Sequence, residues 1–145
     1  MKRHLIYLLP FIIIAAAGCV KSSSTYTPPP VPSGNFSGQF RIVTLKKTSS
    51  GYDTAKATLQ VTFKNTNQYA VNGDTTTLHA GSNGIFAVDG FYAAFNDKTF
   101  PTNNTKPKKN HLSGIYQYYY DGTAFQLLRS ANDTLYEYDL RKTVN

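Results

Sequence analysis

Between Thr54 and Lys64 the chain alternates without a break. Ala55, Ala57, Leu59, Val61 and Phe63 fall on one side, and Thr54, Lys56, Thr58, Gln60, Thr62 and Lys64 on the other. Successive side chains of an extended backbone point to opposite faces, so this stretch is a strand with one dry and one wet side, and no helical template fits it as well. Phe36, Gly38, Phe40 and Ile42 carry the same period in a first strand ending near Lys46, with Lys46 to Gly51 as the connecting turn. Asn72-Gly73, between Tyr69-Ala70-Val71 and Thr75-Thr76-Thr77-Leu78, predicts a hairpin. Gly84 opens Ile85-Phe86-Ala87-Val88, and Asp89-Gly90 turns that run into Phe91-Tyr92-Ala93-Ala94-Phe95. Asn96 to Asn110, polar and holding two prolines and four lysines, reads as a long loop.

The last third allows a test of register. A two-residue turn at Asp121-Gly122 pairs Tyr120 with Thr123, Tyr118 with Phe125 and Tyr116 with Leu127. A turn at Asn132-Asp133 sets Leu127 opposite Tyr138 and Phe125 opposite Leu140. Both turns put Tyr116, Tyr118, Phe125, Leu127, Tyr138 and Leu140 on one face, leaving Gln117, Gln126, Glu137, Asp139 and Arg141 on the other. A slip of one residue at either turn would bury charges. The expected fold is all-β: an antiparallel meander of about eight or nine strands forming a small barrel or sandwich over residues 35–145. With 41% apolar and 16% charged residues, the chain is neither a disordered polyelectrolyte nor a coiled coil. About 110 residues can fold on such a core without disulfides.

The first residues have another purpose. Lys2 and Arg3 precede an almost wholly apolar run, Leu5 to Ala17, which ends in small residues and contains Pro10. A membrane-spanning helix needs roughly 20 apolar residues, so this shorter run reads as a secretory signal peptide, residues 1–18. The sole Cys follows at once, and Ala16-Ala17-Gly18-Cys19 resembles the lipobox of bacterial lipoproteins. That resemblance implies cleavage before Cys19, acyl chains such as palmitate on that residue, and a cell-envelope protein anchored by lipid. Val20 at the second mature position points to the outer membrane. Residues 19–34, with Ser22-Ser23-Ser24, Pro28-Pro29-Pro30 and Pro32, form a tether, extended at about 3.1 Å per residue where proline sets the conformation. Cleavage also removes two of the positive charges behind the net +7. The cations that remain are scattered, apart from Lys106, Lys108 and Lys109, and do not form a nucleic-acid footprint.

Three stretches of the β domain carry a second likeness: Tyr69-Ala70-Val71-Asn72-Gly73-Asp74, Gly84-Ile85-Phe86, and Leu112-Ser113-Gly114-Ile115-Tyr116 with Tyr136-Glu137-Tyr138-Asp139-Leu140-Arg141-Lys142. They resemble small lipocalin-like lipoproteins of Gram-negative bacteria. Gly34-Asn35-Phe36 stands where lipocalins carry Gly-x-Trp, and Arg141 where a late Arg packs on that Trp. The missing Trp and the short domain count against a wide ligand cavity. The resemblance implies a binding or accessory barrel, expected to be monomeric, holding a small apolar ligand among Phe40, Phe63, Tyr116, Tyr118 and Tyr138. The alternative is a structural or interaction module, with an envelope protein or glycan as partner and no small-molecule ligand. Asp-Thr followed by a small or aliphatic residue, as bacteria of this kind O-glycosylate, marks Thr54, Thr75 and Thr134.

Signs of catalysis are sparse. Only His79 and His111 remain after His4 leaves with the signal peptide, no Gly-x-Ser-x-Gly elbow exposes a serine, and Glu137 is the only Glu. Neither an enzyme nor a metal or other cofactor is expected. The aromatic row Tyr116, Tyr118, Tyr136 and Tyr138 either fills the interior or lines a small cavity. Tyr92 and Tyr119 are expected to point outward.

Overall fold

The computed structural model describes residues 30–47, 50–73, 77–102 and 108–144. The signal peptide, Cys19, most of the tether and Thr75 lie outside them. Eight strands follow in chain order: β1 Gly34–Leu45, β2 Tyr52–Lys64, β3 Gln68–Gly73, β4 Ser82–Val88, β5 Tyr92–Asp97, β6 Gly114–Tyr120, β7 Ala124–Ala131 and β8 Thr134–Lys142. Each pairs antiparallel with the next, and β1 pairs with β8 along Phe36↔Lys142 to Thr44↔Thr134. The sheet is therefore a closed up-and-down barrel, the architecture lipocalins share, and not a sandwich.

Closure forces backbones close together. A Cβ on Gly38 would lie 2.0 Å from the Asp139 carbonyl oxygen, so only glycine lets β1 press against β8 there. A barrel of eight strands is just wide enough for its inward side chains to fill it or to hold one small ligand, and here side chains fill it. Phe36, Phe63, Phe86, Phe95 and Phe125 meet at centroid distances of 4.9 to 6.4 Å, half of the pairs edge to face and the rest tilted or stacked. Phe95 then touches Tyr116, Tyr116 touches Tyr138, and Tyr138 lies 4.6 Å from Phe40. Rings run the length of the interior.

The Asn132-Asp133 turn forms as expected, with Asn132 left-handed at φ 53° and Leu127 opposite Tyr138. The β6–β7 turn is two residues longer than expected. Tyr120 pairs with Phe125 and Tyr118 with Leu127, because the Asp121 carboxylate accepts from the Thr123 and Ala124 amides at 2.8 and 2.7 Å and holds a wider turn. A shift of two keeps the faces, and the predicted apolar side remains inside. The Asn72-Gly73 hairpin does not form. Val71 pairs with Ser82, where β4 begins. Arg141 does not pack on Phe36 either. It pairs with Ser37 on the outward face while Phe36 points in. Pro32, expected in the tether, is buried.

The two barrel ends differ. At the tether end, where Gly34 enters, β2–β3, β4–β5 and β6–β7 are joined by short turns. At the loop end lie the long β3–β4 and β5–β6 connections, with the β1–β2 and β7–β8 turns.

Candidate functional site: a cationic cleft at the loop end

The two long connections dock on each other. The Ala80 amide donates to Asn110 O at 2.8 Å, and the Asn110 amide donates to Leu78 O at 3.0 Å. This pairing presses His79 and Leu112 into the lumen, both fully buried. A carbonyl can only accept, so His79 Nδ1 donates to Ala80 O at 2.6 Å, and Nε2 lies 2.8 Å from the Tyr138 hydroxyl, in hydrogen-bond contact. The ring is a polar plug against Phe40. Tyr69 donates to the Leu112 carbonyl. Burial raises the hydroxyls of Tyr69, Tyr116 and Tyr138 above the ordinary tyrosine range, and the Asp97 charge adds to the effect on Tyr69.

Beside this plug opens a cleft of about 620 Å³, between the ends of β1, β7 and β8 and the β5–β6 connection. Ile42, Phe100 and Tyr136 supply apolar walls, and Thr44, Asn110, Ser113 and Thr134 supply uncharged polar groups. Its basic side chains are Lys108, Lys109, His111 and Arg129, and none of the described residues that line it is a carboxylate.

Arg129 owes its position to a gap in the sheet. β6 and β7 pair only from Gln117↔Leu128 to Tyr120↔Phe125, so Gly114–Tyr116 and Arg129–Ala131 stand apart. The guanidinium carbon lies 4.8 Å from the Tyr116 and Tyr136 ring centroids, and Nη1 donates to Ser113 O at 2.9 Å. Gly114, at φ +93°, leaves the room. A Cβ there would sit 3.0 Å from Nη1. Among the described residues the buried Nε–H finds no acceptor and no carboxylate forms an ion pair with Arg129.

His111 is held from behind. Its Nδ1 meets Asp97 Oδ2 at 2.7 Å, with the carboxylate side chain fully buried. The other oxygen, Oδ1, accepts from the Thr99 amide and hydroxyl. Phe100 packs edge-on to the imidazole at 5.4 Å. This pair, fourteen residues apart across the long loop, escaped the sequence reading, as did Arg129. Among the described residues no three His, Cys, Asp or Glu side chains form a metal-sized group.

The five residues singled out for a ligand do not form this cleft. Phe40, Phe63, Tyr116 and Tyr138 are at most 2% exposed and packed ring against ring. Tyr118 is half-buried, its ring tilted on Phe125. Among the described residues, Phe40, Phe63 and Tyr138 line neither this cleft nor three smaller ones of about 240 to 340 Å³. Thr54 is exposed on β2, whereas Thr134 is half-buried at the cleft wall. Tyr92 and Tyr119 point outward, 47% and 55% exposed. Comparison with protein families, with curated protein sequences and with solved structures finds no match to this chain.

Proposed function

We propose that this chain is a lipid-anchored envelope lipoprotein whose barrel binds a small ligand at its loop end, outside a filled lumen. The supporting observation is the contrast between close-packed rings inside and an open cleft of about 620 Å³ at one end. Residues 1–18 serve as the export signal, Cys19 carries the acyl chains, and residues 19–34 tether a monomeric barrel to the outer membrane. The role is binding, not catalysis. Mass spectrometry of the protein extracted from its native membrane tests both halves. The expected result is an acylated N-terminal Cys19 peptide and a small molecule retained under native conditions. An unmodified Cys19 removes the anchor, and a ligand that survives blockage of the cleft by Thr134→Trp removes the site.

A second reading rests on the outer wall, where Tyr92, Ile115, Tyr119 and Leu128 of β5–β7 are exposed at 38 to 63%. It makes the barrel an interaction module for an envelope protein or glycan. Loss of a co-purifying partner in an Ile115→Ser, Leu128→Ser variant that keeps its fold supports this reading.

A further inference from the structure

We infer that the ligand of the loop-end cleft is a monocarboxylic acid with an apolar body, and that Arg129 receives its carboxylate. This rests on the proposed placement of the ligand at that cleft and names its chemistry.

The four basic side chains of the cleft are not equivalent. His111 already meets the buried Asp97 carboxylate at 2.7 Å. Lys109 has a partner of its own. Lys108 is exposed, where water screens an ammonium and an ion pair gains little. Arg129 is the cation whose charged group is held in place. Its guanidinium carbon lies 4.8 Å from the Tyr116 and Tyr136 ring centroids, and Nη1 is tied to Ser113 O. Gly114, at φ +93°, leaves the room that a Cβ would take.

Those contacts decide the shape and charge of the partner. A guanidinium presents its N–H groups in one plane, as a fork that a planar carboxylate matches with two parallel hydrogen bonds. Because the group is held before a ligand arrives, little side-chain entropy remains to be lost on binding. One fixed cation answers one negative charge. A carboxylate carries one, whereas a phosphate monoester carries close to two.

Arg129 is also costly where it stands. It is half-buried, and among the described residues its Nε–H finds no acceptor and its charge no ion-pair partner. A methionine between the same two rings would avoid that desolvation cost. A carboxylate in the cleft offsets it. Ile42, Phe100 and Tyr136 supply the apolar walls, with the Phe100 ring 41% exposed beside His111. An acid without an apolar body would leave those walls in water. A soluble aromatic acid and a fatty acid released from a membrane share this chemistry.

The test uses full-length protein extracted in detergent and titrated by calorimetry with benzoate, its neutral amide benzamide, and phenyl phosphate. Benzoate should bind about tenfold more tightly than benzamide and at least as tightly as phenyl phosphate, and added salt should weaken it. Arg129→Gln should bring benzoate down to the level of benzamide. Arg129→Lys, which keeps the charge and loses the fork, should recover only part of the difference. The double variant Lys108→Gln, Lys109→Gln should weaken benzoate by less than Arg129→Gln does. If the Arg129 variants fail to fold, the affinities of the unaltered protein still decide. Equal affinity for benzoate and benzamide, tighter binding of phenyl phosphate, or a larger effect of the lysine pair overturns the assignment. Octanoate is the fatty-acid arm. Binding tighter than benzoate makes the ligand lipid-derived, weaker binding makes it a soluble acid, and either keeps the carboxylate on Arg129. A neutral ligand retained from the native membrane and displaced by Thr134→Trp would leave the cleft as the binding site and remove only the carboxylate assignment. Benzoate binding that Thr134→Trp leaves unchanged would remove the site itself.

Discussion

The tether end and the loop end are built from the same eight strands and solve opposite problems. At the tether end, Phe36 has Phe63, Tyr120 and Phe125 around it at 5.5 to 5.8 Å, and short turns close over them. Asp89 and Asp121 each accept two backbone amides, which holds their carboxyls below the usual range. At the loop end the strands β6 and β7 part, polar side chains enter the lumen, and Arg129 stands with no ion-pair partner among the described residues. Stability is concentrated where rings meet rings, and recognition is expected where the sheet gives up hydrogen bonds and takes in charge.

Four substitutions and a titration probe that contrast. Phe63→Ala removes the ring that contacts Phe36, Phe86, Phe95 and Phe125, and should cost about 4 kcal/mol in urea unfolding. Next comes Gly38→Ala. Its new methyl meets the Asp139 carbonyl, and the β1–β8 closure should loosen at a cost of about 3 kcal/mol. Tyr138→Phe removes the hydroxyl that meets His79 Nε2 at 2.8 Å in the buried lumen and should cost about 2 kcal/mol.

The tyrosines set an alkaline limit. Folding raises Tyr69, Tyr116 and Tyr138 above 10.0, so the unfolded chain releases these protons first. The stability from keeping them neutral is intact below pH 10 and declines above it, by up to about 1.4 kcal/mol per pH unit for each. Unfolding midpoints measured from pH 8 to 11.5 should be level, then fall. A midpoint that rises above pH 10 would contradict this burial. The smallest effect is expected from Phe100→Ala, below about 1 kcal/mol because the ring is exposed, yet it should weaken ligand binding. If Phe100→Ala destabilised the barrel as much as Phe63→Ala, the division of labour between the ends would be wrong.

Much of the barrel was legible in the sequence because period-two patterning and turn chemistry act locally. Leu59, Val61 and Phe63 fall inside as the alternation requires, and Asn132-Asp133 sets the β7–β8 register. The misses have physical causes. Asp121 widened its turn by capping two amides, a contest between two local solutions that the dipeptide does not reveal. Beyond Asn72-Gly73, Leu78 and Ala80 dock with the β5–β6 connection, and β4 begins to pair with β3 only at Ser82. The cleft draws Ile42, Phe100, His111, Arg129 and Tyr136 from distant parts of the chain. Arg129 stands on β7 as one polar residue after Leu128, and only the parting of β6 from β7 shows where it points.

The most direct test of the central claim is amide NMR of the detergent-extracted protein with and without the small molecule retained from its native membrane. The account predicts shifts at Lys108 to Gly114, Arg129 and Thr134 to Tyr136, with Phe63, Phe86 and Phe125 unmoved. Perturbation spread through those core phenylalanines, with the loop end silent, would mean that the lumen admits the ligand after all.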